Sequence, residues 1–331
     1  MFEDAQNLPL LLTLALLLSG AGTMILGAHL LVVSAVRIAR RCGLSPFFIG
    51  VTVVAFGTSV PELAASLYAQ FNGKEAIALG NVIGSNIANL ALVLGVVAIF
   101  KPIPVRAPNL RRDLVLVVLV GLVPLLALPF DNTLGPFHGI GLVALLALFI
   151  WSSTGHNSSD EFDDLQVEGR WPAWLIWIAI IGGPTLLWAG STLFIESASV
   201  LGVRAGLSEA VVGLTIVAFT TSLPELITSI YATLRGYEEV GIGNILGSCI
   251  MNVLCVLGVV LLFGSIPVEG QIFTLDVPAL LIVSLVCVPI LLSGRKVTRP
   301  EGALLFILYG AYITILLTIT PTIEVTGTPQ G

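Results

Sequence analysis

Charge is what this sequence has least of: 34 of its 331 residues are Asp, Glu, Lys or Arg, 10% where a soluble domain carries about a quarter. With 56% hydrophobic residues and a mean hydropathy of +1.03, the chain could not cover its own surface in water. That excludes an ordinary soluble enzyme, a nucleic-acid binder and a disordered protein, and leaves a polytopic membrane protein whose outer surface lipid satisfies. Cysteine is scarce too. Cys42, Cys249, Cys255 and Cys287 form no CxxC pair and stand near no histidine that would complete a zinc site, so they read as small apolar packing residues. Long polar segments are missing. The one sizeable polar stretch, SSTGHNSSDEFDDLQVEGR at 152–170, is too short for a soluble regulatory domain, which leaves nothing to support a scaffold or receptor role. The first apolar run, Leu8 to Gly27, lacks the basic start and small-residue cleavage site of a signal peptide and reads as a retained helix.

What is there is a series of apolar runs of spanning length between short polar breaks. They predict ten helices at about 8–36, 45–71, 75–100, 112–130, 134–152, 172–201, 207–234, 239–263, 274–293 and 301–321. The expected fold class is an all-α polytopic membrane protein: an N-terminal half (1–153), an acidic cytoplasmic linker (154–170) and a C-terminal half (171–331). With the N-terminus outside, twelve basic residues fall in inner loops (Arg37, Arg40, Arg41, Lys101, Arg106, Arg111, Arg112, Arg170, Arg235, Arg295, Lys296, Arg299). Two, Lys74 and Arg204, fall outside. That asymmetry predicts ten spans of the cell (inner) membrane with both termini extracytoplasmic. Asn157-Ser158-Ser159 matches a glycosylation sequon but falls on the cytoplasmic side, so it is discounted.

An internal repeat dominates the chain. Residues 50–100 align without gaps on 213–263, an offset of 163, with 27 of 51 positions identical. Five helices per half is an odd number, so the two copies face opposite ways. Inverted repeats of this kind place a substrate site near the midplane, where the halves meet, and argue for alternating access.

The repeat keeps polar residues. Thr58, Ser59, Pro61 and Glu62 interrupt an apolar helix, and Thr221, Ser222, Pro224 and Glu225 repeat them. Thr58, Ser59 and Glu62 share a helix face through i, i+3 and i+4 spacing. Pro61 has no N–H for the carbonyl of Gly57, nor Pro224 for that of Thr220, so each helix should break at the midplane, where only a hydrated or ion-lined cavity tolerates it. On the next helix Asn81, Ser85 and Asn89 form a stripe, as do Asn244, Ser248 and Asn252. A central acid costs roughly 2.5–3.5 kcal/mol even on the lenient insertion scale, which makes each glutamate a candidate functional residue. Two carboxylates among hydroxyls, amides and opened carbonyls make an all-oxygen cage suited to a hard cation such as Ca²⁺, for which Na⁺ can compete.

GTSVPE and GNVIGSN, with their second copies TTSLPE and GNILGSC, resemble the two alpha-repeats of the Ca²⁺/cation antiporter superfamily, in particular its sodium/calcium exchanger family of prokaryotic type. The resemblance implies that Glu62 and Glu225 ligate Ca²⁺ with backbone or hydroxyl oxygens at Thr58 and Thr221. It also implies Na⁺ sites that reuse both acids with Ser59, Ser222, Ser85, Ser248 and the carbonyls of Ala55 and Ala218, with Asn89 and Asn252 completing the centre. The K⁺-cotransporting branch carries Asp where this chain has Asn252, so K⁺ independence is expected. Thr220 and Cys249 depart from glycine and asparagine in the first copy, and the GN-x-x-E-H-like pattern of the Ca²⁺/H⁺ branch is absent.

The expected function is secondary transport of Ca²⁺ against Na⁺, with no enzymatic activity, no resident cofactor and no nucleic-acid partner, by a chain that works as a monomer in the lipid bilayer. One Ca²⁺ neutralises two carboxylates and three Na⁺ slightly overcompensate them, so the loads exclude each other; the family's three-for-one exchange would be electrogenic. Helices 1 and 6 would slide to switch access, on the resemblance alone. A Ca²⁺/H⁺ or other divalent cation/H⁺ antiporter is the alternative. A cation channel ranks below both, because one chain already holds both halves of the cage. His29 reads as a neutral histidine hydrogen-bonded at a helix interface rather than a proton carrier. Glu196, whose mate is Val33, is not placed in the ion site. The run Asp160, Glu161, Asp163, Asp164 reads as a solvated linker, lacking EF-hand spacing.

Overall fold

The apolar runs do become helices. The structure, a computed structural model, describes residues 9–105, 110–153, 171–205, 221–293 and 296–319. Helix α1 (Leu10–Cys42) ends where Gly43 takes the left-handed conformation (φ 67°) and its N–H closes on the Ala39 carbonyl, with Arg40 and Arg41 at the negative helix end. Helix α2 (Pro46–Thr58) is started by Ser45, whose hydroxyl accepts from the Phe48 N–H at 3.0 Å, and it turns by 44° into α3 (Val60–Phe71). Then come α4 (Glu75–Phe100), α5 (Leu110–Gly121), α6 (Pro136–Ser153), α7 (Ala173–Arg204), α8 (Leu223–Leu234), α9 (Glu238–Leu262), α10 (Ile272–Leu292) and α11 (Arg299–Thr318).

Seven of these, α1, α4, α6, α7, α9, α10 and α11, are long and apolar enough to cross a membrane, and the bent pair α2–α3 makes an eighth if it counts as one span. The chain is thus a mostly helical protein with several apolar spans. Two boundaries differ from expectation. The first helix runs on past 36 to Cys42. The helix expected at 112–130 stops at Gly121 and continues as a 3₁₀ turn, Val123–Ala127, because Pro124 has no N–H for another helical bond. The start of the helix expected at 207–234, the linker and Ala218 lie outside the described residues.

Elements recur at the spacing of the sequence repeat. Val60–Phe71 plus 163 is Leu223–Leu234, and the two-residue strands β1 (Ile103–Pro104) and β2 (Thr133–Leu134) recur as β3 (Ile266–Pro267) and β4 (Lys296–Val297). Their pairing crosses the halves: β1 with β4 and β2 with β3, both antiparallel. Exchanging the halves maps each ladder onto the other.

The equivalent helices α1 and α7 pack directly and run antiparallel. A Cβ on Gly20 would sit 2.9 Å from the Gly190 carbonyl, and one on Gly27 would sit 2.7 Å from that of Gly183, so the backbones touch at two mirrored levels. Arg37 lies over the Trp171 ring at 4.2 Å, and Arg41 donates to the Trp171 carbonyl at 2.6 Å, tying the end of α1 to the start of α7.

The centre of the molecule is α4 and α9, whose apolar windows are 83% and 89% buried against 22–44% for the other five long spans. Large apolar side chains such as Leu11, Phe137 and Trp151 face outward, as lipid-facing helices require.

Candidate functional site

The break between α2 and α3 builds the first half of the site. At Ser59 (φ −84°, ψ 1°) the backbone leaves the helix, so Val60 opens a new first turn and Pro61 falls where a helix has no partner for the missing N–H. Glu62 stands in that turn, its carboxylate at the positive end of α3. The second copy matches: Ser222 (φ −87°, ψ 0°) precedes α8, and Pro224 and Glu225 occupy its first turn. The helix break expected from the proline is therefore present at the first copy, and the described part of the second has the same start.

The stripes on α4 and α9 brace these breaks. Asn81 Nδ2 donates to the Glu62 carbonyl at 3.3 Å and to Ser66 Oγ at 2.9 Å. Asn244 Nδ2 donates to the Glu225 carbonyl at 3.4 Å and to Ser229 Oγ at 3.0 Å, the same contacts 163 residues on. The halves then lock across each other. Thr58 Oγ1 lies 3.1 Å from Asn244 Oδ1 and 3.3 Å from Ser248 Oγ, and Ser85 Oγ lies 3.1 Å from Thr221 Oγ1. The Ala55 carbonyl accepts the Ser59 N–H at 3.0 Å and the Thr58 hydroxyl at 3.2 Å, so this oxygen is already engaged on two sides.

These contacts leave a defined set of groups unserved. Glu62 and Glu225 are both 0% exposed and lie beside each other, with Thr58 next to Glu225, and none of their four carboxylate oxygens accepts a hydrogen bond of ordinary geometry. Ser59 Oγ, Ser222 Oγ, both amide atoms of Asn89 and Asn252 Oδ1 are likewise buried without partners. A buried polar atom without a partner costs free energy, and an unpaired carboxylate far more. Here the orphans converge, in equivalent pairs, on the place where the halves meet. They are oxygens apart from the Asn89 amide nitrogen, and among the described residues no three His, Cys, Asp or Glu side chains cluster as an alternative metal site. The donor set fits a hard cation.

Eleven of the twelve sequence-predicted site residues lie at or beside this place, ten of them buried and Thr221 half-buried; Ala218 is outside the described residues. The sequence pattern did not reveal that each site asparagine opens or nearly opens a π-helical turn: Ala88–Val93 on α4 and Asn252–Leu257 on α9. Such wide turns re-aim side chains and gather at functional sites. Nor did it single out Ser66, Ser229 or Asn86.

Comparison with known proteins decides the family. The pattern of the family described as sodium/calcium exchanger protein matches residues 12–155 and 175–318. The chain belongs to that family. This family member is 32% identical over 318 residues to the inner membrane protein YrbG of Escherichia coli K12, covering 93% of the chain and 96% of YrbG. It is 27% identical over 346 residues to the sodium/calcium exchanger MaX1 of Methanosarcina acetivorans, covering 92% and 98%. A solved structure of the sodium-calcium exchanger NCX_Mj soaked with zero Na⁺ and Ca²⁺ superposes with a TM-score of 0.79 at 30% identity, covering 93% of this chain and all of that one. The chain is thus a multi-pass membrane protein of an antiporter family whose substrates are Na⁺ and Ca²⁺.

Other sequence-level readings can now be placed. His29 Nδ1 meets the Tyr231 hydroxyl at 2.5 Å across the α1–α8 interface, in the expected setting of a histidine hydrogen-bonded between helices. Glu196 is exposed on α7, away from the acid pair. Cys249 and Cys287 are buried, Cys255 is half-buried and Cys42 is exposed, all as free thiols. The acidic run 160–164 lies outside the described residues.

Proposed function

We propose that this chain exchanges Na⁺ for Ca²⁺ by alternating access, electrogenically and without K⁺, through ten spans arranged as two inverted five-helix repeats, 1–153 and 171–331, joined by the linker 154–170. The observation that carries the reading is the pair Glu62 and Glu225, fully buried, equivalent in the repeat and without a hydrogen bond of ordinary geometry to any carboxylate oxygen. A cation supplies what those oxygens lack. Ca²⁺ takes 6–8 oxygens at about 2.3–2.6 Å in flexible geometry, and the hydroxyls of Thr58, Ser59, Thr221, Ser222, Ser85 and Ser248, the amides of Asn89 and Asn252 and the carbonyls of Ala55 and Ala218 offer neutral oxygens around the two acids.

Inversion is supported by the antiparallel packing of α1 on α7 and by the swapped ladders. Those ladders join loops assigned to the same side: β1 and β4 to the inner end, β2 and β3 to the outer. Lys101, an inner-loop residue of the first half, pairs with Glu238 of the second at 2.7 Å, consistent with the same assignment. The setting is the cell membrane with both termini outside, and the cage is complete within one chain, so a monomer suffices. Asn252 in place of an acid leaves the cage with two formal negative charges and supports K⁺ independence.

The test is transport by purified protein in lipid vesicles. Na⁺-loaded vesicles diluted into Na⁺-free buffer should take up Ca²⁺, indifferent to added K⁺ and to an imposed pH gradient. Uptake that ignores Na⁺ and follows the pH gradient would instead establish proton coupling.

A further inference from the structure

We propose that Asn86 is a positioning residue for the ion site: it holds the Asn252 amide with its oxygen turned away from Asn86 and left open for a cation, and the replacement of its repeat partner by Cys249 leaves Asn89 without the same hold. The proposal rests on the cation-site reading above and goes beyond it in naming a residue that touches no ion.

Hydrogen-bond logic carries the argument. Asn86 is 1% exposed, and its Nδ2 donates to the backbone carbonyl of Cys249 at 3.1 Å. A backbone carbonyl only accepts, so the amide of Asn86 is fixed: nitrogen toward Cys249, oxygen the other way. That oxygen accepts from Asn252 Nδ2 at 3.1 Å. With its nitrogen committed to Asn86, Asn252 has one orientation left, in which Oδ1 points away from Asn86; Oδ1 is one of the buried atoms without a partner. The chain of contacts starts at a backbone atom, so no choice of amide flip along it is free.

The mirrored arrangement fails by one residue. Adding 163 to Asn86 gives Cys249, whose thiol points back at the Asn86 carbonyl at 3.9 Å, the counterpart of the Asn86 contact. Cysteine has no oxygen to accept from Asn89 Nδ2, and the Asn89 amide has only that sulfur, a weak acceptor, beside it, with no hydrogen bond of ordinary geometry on either atom. One asparagine of the site is thus preset as an oxygen ligand, and the other is held only by a weak contact with sulfur. Partners that orient a ligand typically matter by 10–100-fold in metal affinity.

The experiment is ⁴⁵Ca²⁺ binding to the purified full chain, with Na⁺ competition, for wild type, Asn86→Cys, Asn252→Ala, Asn252→Asp and both double variants. Cysteine is chosen because the equivalent position already accommodates it. Asn86→Cys should weaken Ca²⁺ binding on the order of tenfold. It should cost less than about twofold further where residue 252 is Ala, with no amide to orient, or Asp, with oxygen on both sides. Unchanged binding in Asn86→Cys overturns the proposal, as does an equal loss in all three backgrounds, which would mark Asn86 as a packing residue. Glu62→Gln is measured alongside: Ca²⁺ binding that survives it removes the cation-site reading itself, a result distinct from either failure of the Asn86 hold.

Discussion

Two carboxylates at zero exposure with no hydrogen bond of ordinary geometry to any of their oxygens are an expense no fold bears for packing alone. Glutamine has the shape of glutamate without its charge, and this separates a binding role from a structural one. Glu62→Gln and Glu225→Gln should each lower Na⁺-driven Ca²⁺ uptake at least a hundredfold, with expression unchanged. In ion-free detergent each should melt at the same temperature as wild type or higher, because no ion pair or well-formed hydrogen bond ties either carboxyl into the fold. A lower Tm together with lost transport would mean that the acids hold the fold. Both acids were legible in the sequence, since charge inside an apolar run, doubled at one offset, has no bland reading. Asn86 was not. The repeat shows that Cys249 stands where the first copy has asparagine, but not that Asn86 reaches the residue 249 carbonyl and Asn252 on another helix, contacts that no spacing within one helix encodes.

At the scale of the helix, hydropathy located the runs and proline located the break at Ser59, but the interior turns left no trace. The π-helical turns Gly50–Val54, Ala88–Val93, Asn252–Leu257 and Ile272–Asp276 differ from their surroundings in hydrogen-bond register, not in composition. A lipid-facing helix also carries little periodic signal, since both its faces are apolar. The α1–α7 contact shows what the sequence did signal, through glycines seven residues apart in each helix. A Cβ at Gly27 would meet the Gly183 carbonyl at 2.7 Å and the Leu187 nitrogen at 2.8 Å, both backbone atoms, so Gly27→Ala can be housed only by parting the helices. It should cost about 1–3 kcal/mol, the usual range for overpacking. Gly22, one turn away, has nothing within 4 Å of an added Cβ, and Gly22→Ala should be neutral or slightly stabilising. Thermal unfolding of the two variants side by side checks the pair. Equal behaviour would mean that the backbones do not meet as described.

At the scale of the whole molecule, the two halves exchange parts: each contributes one strand to each ladder, and Thr58 meets Ser248 as Thr221 meets Ser85. The proposed site therefore draws on both halves, and sliding of the first helix of each half against the rest would expose it to one side at a time. The charge on the moving unit follows from its contents. With both acids ionised the empty cage carries two negative charges; one Ca²⁺ brings it to zero, whereas three Na⁺ bring it to plus one. A cycle that takes three Na⁺ out of a vesicle and one Ca²⁺ in moves one positive charge outward. An interior-positive potential should then favour Ca²⁺ uptake by about 2.3 kcal/mol per 100 mV, close to fiftyfold in the Ca²⁺ gradient at equilibrium. Na⁺-loaded vesicles clamped at opposite potentials with an ionophore, followed until uptake stops, read that ratio directly. A two-for-one exchange would give the same plateau at both potentials, because two Na⁺ and one Ca²⁺ leave the cage equally neutral.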